Sequence, residues 1–341
     1  MAPGQHPQTL AATAATAPAP SVLALSGGIG GAKLVLGLYR VLAPWNLAIA
    51  MNTGDDLVHM GLHVAPDVDT IMYTLAGENN AELGWGRVGE TWSFMDQMGR
   101  LGGETWFNLG DGDVALHVRR TDLLGRGEGL GEITQRLYEA VGLQTHAWPM
   151  SDDPVRTIVE TADGRALPFQ NYFVEERCQP SVQGFVYEGA AAATANPRIL
   201  EALGDTNLQA VILCPSNPFV SIDPILAVPE IQDALAACPA PVVAVSPLIG
   251  GKAVKGPLAK MYEERGHRAD NASVLAHYAD FLDGFVIDET DAADADRLGV
   301  PTRVTRTMMA SLDDRDALAN EVLEFSGTLT RAAGAQIASG G

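Results

Sequence analysis

A glycine-rich run between an apolar stretch and a helix-like segment constrains the fold of this chain more than any other feature. The run SGGIGGAK follows the apolar residues 22–25 and precedes residues 34–42, which repeat with helical period. This order predicts a strand, a glycine loop and a helix in succession. Because glycines let the backbone approach a ligand and a helix start offers free N–H groups, the loop predicts a phosphate or diphosphate site. Its candidate ligand-binding residues are Ser26, Gly27, Gly28, Gly30, Gly31 and Lys33.

The loop departs from two common phosphate-binding templates. A P-loop requires Gly before the lysine and Ser or Thr after it, whereas Ala32 and Leu34 occupy these positions. The dinucleotide fingerprint requires a third small residue where Lys33 stands. The pattern therefore predicts an anion site without naming its ligand, and a tight turn that binds nothing remains the alternative.

Strand-like and helix-like segments alternate along most of the chain. This alternation predicts an α/β fold with a doubly wound, mostly parallel Rossmann-like sheet. A stretch that mixes a helix with short alternating segments predicts an inserted, smaller α+β subdomain. The apolar runs that predict buried strands are residues 22–25, 47–51, 210–214, 242–245 and 285–287. The predicted divisions are a nucleotide-binding core at 21–122 and 190–326, the inserted subdomain at 123–189, and flexible tails at 1–20 and 327–341.

The charge balance restricts the classes of partner. Lys and Arg number 22 against 42 Asp and Glu, which gives a formal charge of −20. This excess argues against nucleic acid and against an anionic membrane surface. No apolar run reaches the roughly 18 residues that a membrane span requires. Three widely spaced cysteines without a CxxC pair favour a reducing, cytoplasmic location. In so acidic a chain, a diphosphate is expected to bind together with Mg²⁺ held by carboxylates.

Small, polar or glycine-rich loops follow the other predicted strands. In open α/β sheets, ligands bind beyond the carboxyl ends of the strands, so these loops are expected to share one cleft. Their candidate binding residues are Asn52, Ser216, Asn217, Ser246, Gly250 and Lys252.

Several carboxylates are candidates for the chemistry. Asp55 and Asp56 are predicted Mg²⁺ ligands, and Asp56, Asp69 and Asp111 are the predicted catalytic groups. The alternative for Asp69 is a purely structural role, in which it caps a helix. His117 could act as an acid, a base or a phosphate partner, or be a hydrogen-bonded structural histidine.

Two further sets of residues are ambiguous. His59 and His63 have helical i, i+4 spacing but lack the glutamate of a zinc protease, so they are given no role. Trp85 and Trp106 could belong to a core or could wall a pocket for a flat heteroaromatic ligand.

Taken in order, these segments resemble the 2-phospho-L-lactate transferases, the CofD/FbiA family. The resemblance runs from about residue 21 to residue 325, and its specificity lies in the ordered set rather than in one motif. The segments that carry it are residues 26–33, 52–56, 66–70, 109–117, 151–154, 215–218 and 246–252.

The resemblance implies a reaction. Family members transfer a phospho-acyl unit from a guanosine diphospho-acyl donor to the ribityl hydroxyl of FO, 7,8-didemethyl-8-hydroxy-5-deazariboflavin, and release GMP. The product belongs to coenzyme F-420 biosynthesis. By resemblance, the enzyme uses Mg²⁺ and forms a homodimer, the glycine loop and Lys33 hold the donor phosphates, and Asp69 and Asn108 contact FO.

The chain also departs from the family pattern. Gly112 stands where an arginine is expected, Leu116 where a threonine is expected, and Asp223 where a glycine is expected. Loss of a cation near the donor could change how the acyl carboxylate is held. Phospholactate, phosphoenolpyruvate and 3-phosphoglycerate therefore all remain open as the transferred unit.

Two other classes of function remain. One is a non-catalytic regulator of the gluconeogenesis-factor type, which would bind a nucleotide sugar at a similar glycine loop. Residues 109–117 and 151–154 favour the transferase over this regulator. The other is a nicotinamide-dependent oxidoreductase, which the broken dinucleotide fingerprint disfavours.

Overall fold

The computed structural model describes residues 19–43, 45–80, 83, 85–254 and 256–331. The tail predicted at residues 1–20 lies outside these ranges except for its last two positions. The tail predicted from residue 327 begins too early, because the last helix continues to Thr328. Beyond it, Arg331 donates hydrogen bonds to the carbonyl oxygens of Leu235 and Ala240.

The strands of the described residues form one large sheet and three small ones. Apolar, fully buried residues make up most of the central strands, as expected for a sheet that is covered on both faces. The strands are β1 (Val22–Ser26), β2 (Leu47–Met51), β3 (Leu57–His59), β4 (Leu62–Val64), β5 (His146–Pro149), β6 (Arg156–Thr161), β7 (Ala166–Pro168), β8 (Val182–Glu188), β9 (Ala210–Leu213), β10 (Val242–Val245), β11 (Leu248–Ile249), β12 (Lys252–Ala253), β13 (Gly284–Asp288) and β14 (Thr302–Thr305).

Most of residues 34–42, predicted to be helical, form the later part of a longer helix that begins at Gly28 and ends at Val41. Residues 225–237 span two helices, since Pro229 begins the second. The helices are α1 (Gly28–Val41), α2 (Pro66–Ala76), α3 (Ser93–Arg100), α4 (Asp111–Gly125), α5 (Leu130–Ala140), α6 (Pro197–Gly204), α7 (Asp223–Leu226), α8 (Pro229–Ala237), α9 (Leu258–Glu264), α10 (Asn271–His277) and α11 (Leu312–Thr328). Across the described ranges, every helix is too short or too polar to cross a membrane.

The large sheet confirms the predicted doubly wound architecture. Its seven parallel strands have the order β14-β13-β10-β9-β1-β2-β5. From β1 the chain builds outward through β2 to β5, and it then returns to β9 and builds outward on the other side. The switch point therefore lies between β1 and β9, where a crevice is expected at the carboxyl ends.

Hydrophobic cores lie on both faces of this sheet. Alternate residues of β1 point to opposite faces, so Leu23 and Leu25 join one core while Val22 and Ala24 join the other. Helices α1, α2 and α11 pack over the second core.

The predicted subdomain at residues 123–189 includes a strand of the central sheet. Strand β5 pairs in parallel with β2 and forms an edge of that sheet. The later part of the segment forms a separate antiparallel sheet of order β7-β6-β8. Strand β5 was not predicted, because its four residues, His146 to Pro149, form neither an apolar run nor a regular alternation of apolar and polar residues.

Candidate active site

A cavity of about 640 Å³ lies at the carboxyl edge of the large sheet. Its lining includes the loops after β1, β2, β9 and β10, parts of α2 and α4, and residues 106–109. Ten predicted binding, metal-ligating or catalytic residues line it: Gly27, Gly28, Gly30, Lys33, Asp55, Asp69, Asn108, Ser216, Asn217 and Ser246.

The glycine loop joins β1 to α1 at the switch point. Gly28 has a φ of 65°, in the left-handed region that favours glycine. Its N–H donates to Asp67 Oδ1 at 2.6 Å, and the hydroxyl of Ser216 contacts the backbone of Gly27. The first turn of a helix leaves further backbone N–H groups without intrahelical partners. The N–H groups that follow Gly28 are therefore positioned as hydrogen-bond donors that could hold an anion.

Close packing explains the next two glycines. A Cβ at Gly30 would lie 2.6 Å from the backbone oxygen of Pro215. A Cβ at Gly31 would collide with the hydroxyls of Ser26 and Ser216. Gly31 and Ser26 are therefore packing positions behind the cavity, since the described lining does not include them.

Asp55 and Asp56 point in different directions. Asp55 lines the cavity, and its Oδ2 accepts a hydrogen bond from Gln170 at 3.2 Å. Asp56 is absent from the described lining, and its Oδ2 lies 3.0 Å from His63 Nε2. Burial raises the pKa of both carboxyls well above their usual range. Contrary to the prediction for Asp56, only the first of the pair faces the cavity.

The other carboxylates near the glycine loop already have protein partners. Asn52 donates to Asp67 Oδ2 at 2.8 Å, which places Asn52 behind the cavity wall. Arg120 pairs with both oxygens of Asp69. Among the described residues, no three His, Cys, Asp or Glu side chains form a metal-binding group. Mg²⁺ commonly binds one or two carboxylates and completes its shell with substrate phosphates and water, and Asp55 fits that mode.

A polar ladder joins α2 to α4 along one wall of the cavity. It consists of Asp69 and Tyr73 from α2 and of Asp113, His117 and Arg120 from α4. Tyr73 donates its hydroxyl proton to Asp113 at 2.5 Å. Burial lowers the pKa of His117 to about 4 and raises that of Asp113 to about 6. Arg120 was not predicted, although the i, i+4, i+7 spacing of Asp113, His117 and Arg120 is a signal for one helix face.

Asp111 has a different place from the one predicted. It begins α4, accepts hydrogen bonds from the hydroxyl of Thr91 and the N–H of Phe94, and is absent from the described cavity lining. Glu90 accepts the N–H groups of Gly112 and Asp113. Asp111 and Glu90 thus tie residues 90–94 to the start of α4, and we assign Asp111 no catalytic role.

Aromatic side chains form another part of the cavity wall. Trp106 and Phe107 line it and pack edge-on against each other at 5.6 Å between ring centroids. His59 packs against both rings from a β-hairpin, so His59 and His63 do not share a helix face despite their i, i+4 spacing. Trp85 lines the cavity with 44% of its surface exposed. This wall offers apolar ring faces to a flat ligand.

Two predicted residues lie in the β11–β12 hairpin, away from the lining. Gly250 donates its N–H to Asp291 at 2.9 Å, and Lys252 is exposed. Ser246 lines the cavity, and its hydroxyl donates to Asn271 at 2.7 Å. The loop after β10 therefore contributes its first residues rather than its glycines and lysine.

Fold and cavity together define the class: a doubly wound α/β protein with a glycine loop and a cavity at the topological switch point. The family model described as 2-phospho-L-lactate transferase CofD matches residues 22–324. The chain belongs to this family, and the resemblance stated from the sequence is confirmed.

Relatives with curated names agree with this assignment. The phosphoenolpyruvate transferase of Streptomyces griseus is 39% identical, over 89% of this chain and 98% of its own length. The 2-phospho-L-lactate transferase of Methanosarcina mazei is 35% identical, over 89% and 99%. That of Methanocaldococcus jannaschii is 36% identical, over 90% and 99%. The names of these relatives support an enzyme of the transferase class.

A solved structure shows the same fold at low sequence identity. A UPF0052 family member from Bacillus halodurans superposes with a TM-score of 0.59 and 12% identity, over 90% of this chain and 99% of that one. At this identity the likeness concerns the fold alone.

Proposed function

We propose that this protein transfers a phospho-acyl unit from a guanosine diphospho-acyl donor to the ribityl hydroxyl of FO and releases GMP. The observation that carries the proposal is the meeting, in one cavity, of the glycine loop, Asp55 and the aromatic wall at Trp106. In this reaction the FO hydroxyl oxygen attacks the phosphorus that bears the acyl group. A new P–O bond forms, the diphosphate P–O bond to GMP breaks, and the hydroxyl proton is lost.

The donor occupies the glycine-loop side of the cavity in this proposal. The N–H groups at the start of α1 hold the diphosphate, and Lys33 lines the same region with its Nζ 3.1 Å from the carbonyl oxygen of Met309. Phosphoryl transfer depends mainly on positioning and charge neutralisation, which these groups provide. Mg²⁺, when bound at Asp55, would neutralise negative charge on the diphosphate.

The acceptor occupies the aromatic side. Trp106 and Phe107 offer ring faces to the deazaflavin, and Asn108 follows them in the lining. Asp69 lies on the adjoining α2 wall with its carboxylate fixed by Arg120. A fixed carboxylate can accept the hydrogen bond of the attacking hydroxyl and so orient its oxygen.

Among the possible acyl units, phosphoenolpyruvate is our first candidate. Relatives named phosphoenolpyruvate transferase are 38–39% identical to this chain. Relatives named 2-phospho-L-lactate transferase are 35–36% identical. The guanosine diphospho-enolpyruvate donor is therefore the first to assay.

Replacement of single carboxylates tests the proposal. Asp55→Asn removes the carboxyl group that would bind Mg²⁺ in the cavity and is expected to lower Mg²⁺-dependent turnover at least 100-fold. Asp316, which is half-buried and pairs with Arg40 away from the cavity, provides the control variant Asp316→Asn. Product and GMP are quantified by chromatography over a Mg²⁺ titration. Equal Mg²⁺ dependence in both variants would remove Asp55 from the proposed site.

Binding of a UDP-sugar without any turnover would favour the nucleotide-sugar-binding regulator instead.

A further inference from the structure

The buried face of α4 is polar where an apolar face is expected. Asp113, His117 and Arg120 lie at i, i+4 and i+7 and face α2. The side chain of Arg120 is only 1% exposed. Burial of an ion pair carries a desolvation cost that well-packed apolar residues would avoid. A buried arginine directly behind a cavity wall therefore calls for an explanation beyond stability.

The guanidinium of Arg120 contacts three groups at once. It pairs with both carboxylate oxygens of Asp69 in a two-pronged arrangement. Its Nη1 also lies 3.3 Å from His117 Nδ1 and 3.3 Å from the carbonyl oxygen of His63. Such a planar fork fixes the orientation of its partners as well as their charge.

The contact between Arg120 and His117 favours one tautomer of the histidine. An arginine side chain has donors only and stays protonated in proteins. A hydrogen bond from Arg120 Nη1 to His117 Nδ1 therefore requires Nδ1 to accept, which leaves the proton of the neutral ring on Nε2. The alternative partner of Nδ1, Asp69 Oδ2, lies farther away, at 3.6 Å. Asp69 and His117 both line the cavity, so the wall presents a fixed anion and a fixed N–H donor side by side.

We propose that Arg120 is a positioning residue, which orients Asp69 and holds His117 in the Nε2–H tautomer for the acceptor substrate. The acceptor part of this inference rests on the proposed function. Arg120 itself touches no substrate, because it acts through the two side chains in front of it.

Steady-state kinetics of Arg120→Lys test this role. Lysine keeps the charge but is a point donor that cannot serve both Asp69 oxygens and His117 Nδ1. We expect kcat/KM for the acceptor to fall at least tenfold and GDP affinity to change less than twofold, because the glycine loop is anchored by Asp67 instead. The matched control is Arg119→Lys, on the same helix but exposed and paired with Asp122. An unchanged acceptor kcat/KM in Arg120→Lys would overturn the proposal.

A second pair of variants does not depend on how Arg120→Lys folds. The amide nitrogen of Gln can reach the position of histidine Nε2, whereas that of Asn reaches the position of Nδ1. His117→Gln is therefore expected to retain at least fivefold more acceptor turnover than His117→Asn. Equal turnover, or more in the Asn variant, would contradict the assigned tautomer.

Nuclear magnetic resonance tests the tautomer without any substrate. In protein labelled with ¹⁵N-histidine, the His117 signals are assigned by their loss in His117→Gln. We expect an unprotonated Nδ1 and a protonated Nε2, with a changed pattern in Arg120→Lys and no change in Arg119→Lys. A protonated Nδ1 in the unaltered protein would overturn the inference. Because this readout needs no turnover, a wild-type protein without transferase activity would refute the proposed function separately.

Discussion

The close approach of α1 to the loop after β9 makes Gly30→Ala a sharp test of the cavity. Gly30 lines the cavity, and a Cβ there would stand 2.6 Å from the carbonyl oxygen of Pro215. To restore a contact of 3.4 Å, that oxygen would have to retreat by about 0.8 Å. The oxygen belongs to the backbone, so no side-chain rotation can relieve the contact.

The magnitude follows from two opposing effects. Overpacking of this kind costs typically 1–3 kcal/mol, whereas replacement of a helical glycine by alanine gains about 0.4–1 kcal/mol through the unfolded state. The net loss of unfolding free energy is thus about 0–2.5 kcal/mol, and the variant should fold. The effect on turnover should be larger, because a misplacement near 1 Å can cost about 100-fold in rate.

The assay compares two alanine variants. Gly125→Ala is the control, because Gly125 ends α4 and nothing lies within 4 Å of its added Cβ. Urea unfolding measures stability, calorimetry measures GDP affinity, and chromatography measures turnover. We expect Gly30→Ala to lose affinity and about 100-fold in turnover while Gly125→Ala retains both. Full activity in a folded Gly30→Ala protein would refute the geometry of the glycine loop described above.

Three further predictions concern stability, pH and the acceptor. Gly37→Ala should lower the unfolding free energy by about 0.5–2 kcal/mol in urea titrations, because its Cβ would collide with the backbone of Arg315 in α11. Burial raises the pKa of Asp113 to about 6, so the folded protein binds a proton between pH 6 and 4 that the unfolded chain does not, and acidification stabilises it. Asp113→Asn removes that gain. As the pH is lowered from 6.5 to 4.5, the unfolding free energy of the variant should therefore fall relative to that of the wild type in the same titrations. Trp106→Ala should weaken FO binding at least tenfold by fluorescence titration and leave GDP affinity within twofold, and an equal loss for both ligands would contradict the assignment of the aromatic wall.

Local sequence patterns were sufficient to predict the central parallel sheet and the glycine loop. Buried parallel strands are nearly continuous apolar runs, and five of the seven central strands stood out for that reason. The glycine loop was equally clear, because a run of glycines separates an apolar stretch from a segment with helical period. The expectation of one cleft at the carboxyl ends then followed from the parallel order.

Side-chain direction could not be derived in the same way. Asp55 and Asp56 are neighbours after the same strand, yet only the first faces the cavity, and nothing in their types distinguishes them. Asp111 differs from Asp113 by two positions on α4, enough to turn it from the cavity toward Thr91. Which face of α4 is buried depends on its packing against α2, a tertiary contact.

The hairpin turn between His59 and His63 could not be predicted from its residue types. His59 and His63 lie on the two strands of a hairpin whose turn residues, Met60 and Gly61, both have positive φ. Two-residue hairpin turns of this kind usually show Asn or Asp in the first position. Methionine in the first position gave no such signal, so the sequence did not indicate a hairpin turn between the two histidines.

The most direct test of the account is mass spectrometry of the purified protein with FO, Mg²⁺ and three separate donors. These are guanosine diphospho-enolpyruvate, guanosine diphospho-lactate and guanosine diphospho-glycerate. The account predicts a new phosphodiester of FO and an equal amount of GMP, with the enolpyruvyl donor fastest. Absence of any FO product with all three donors, from protein shown to be folded, would contradict it.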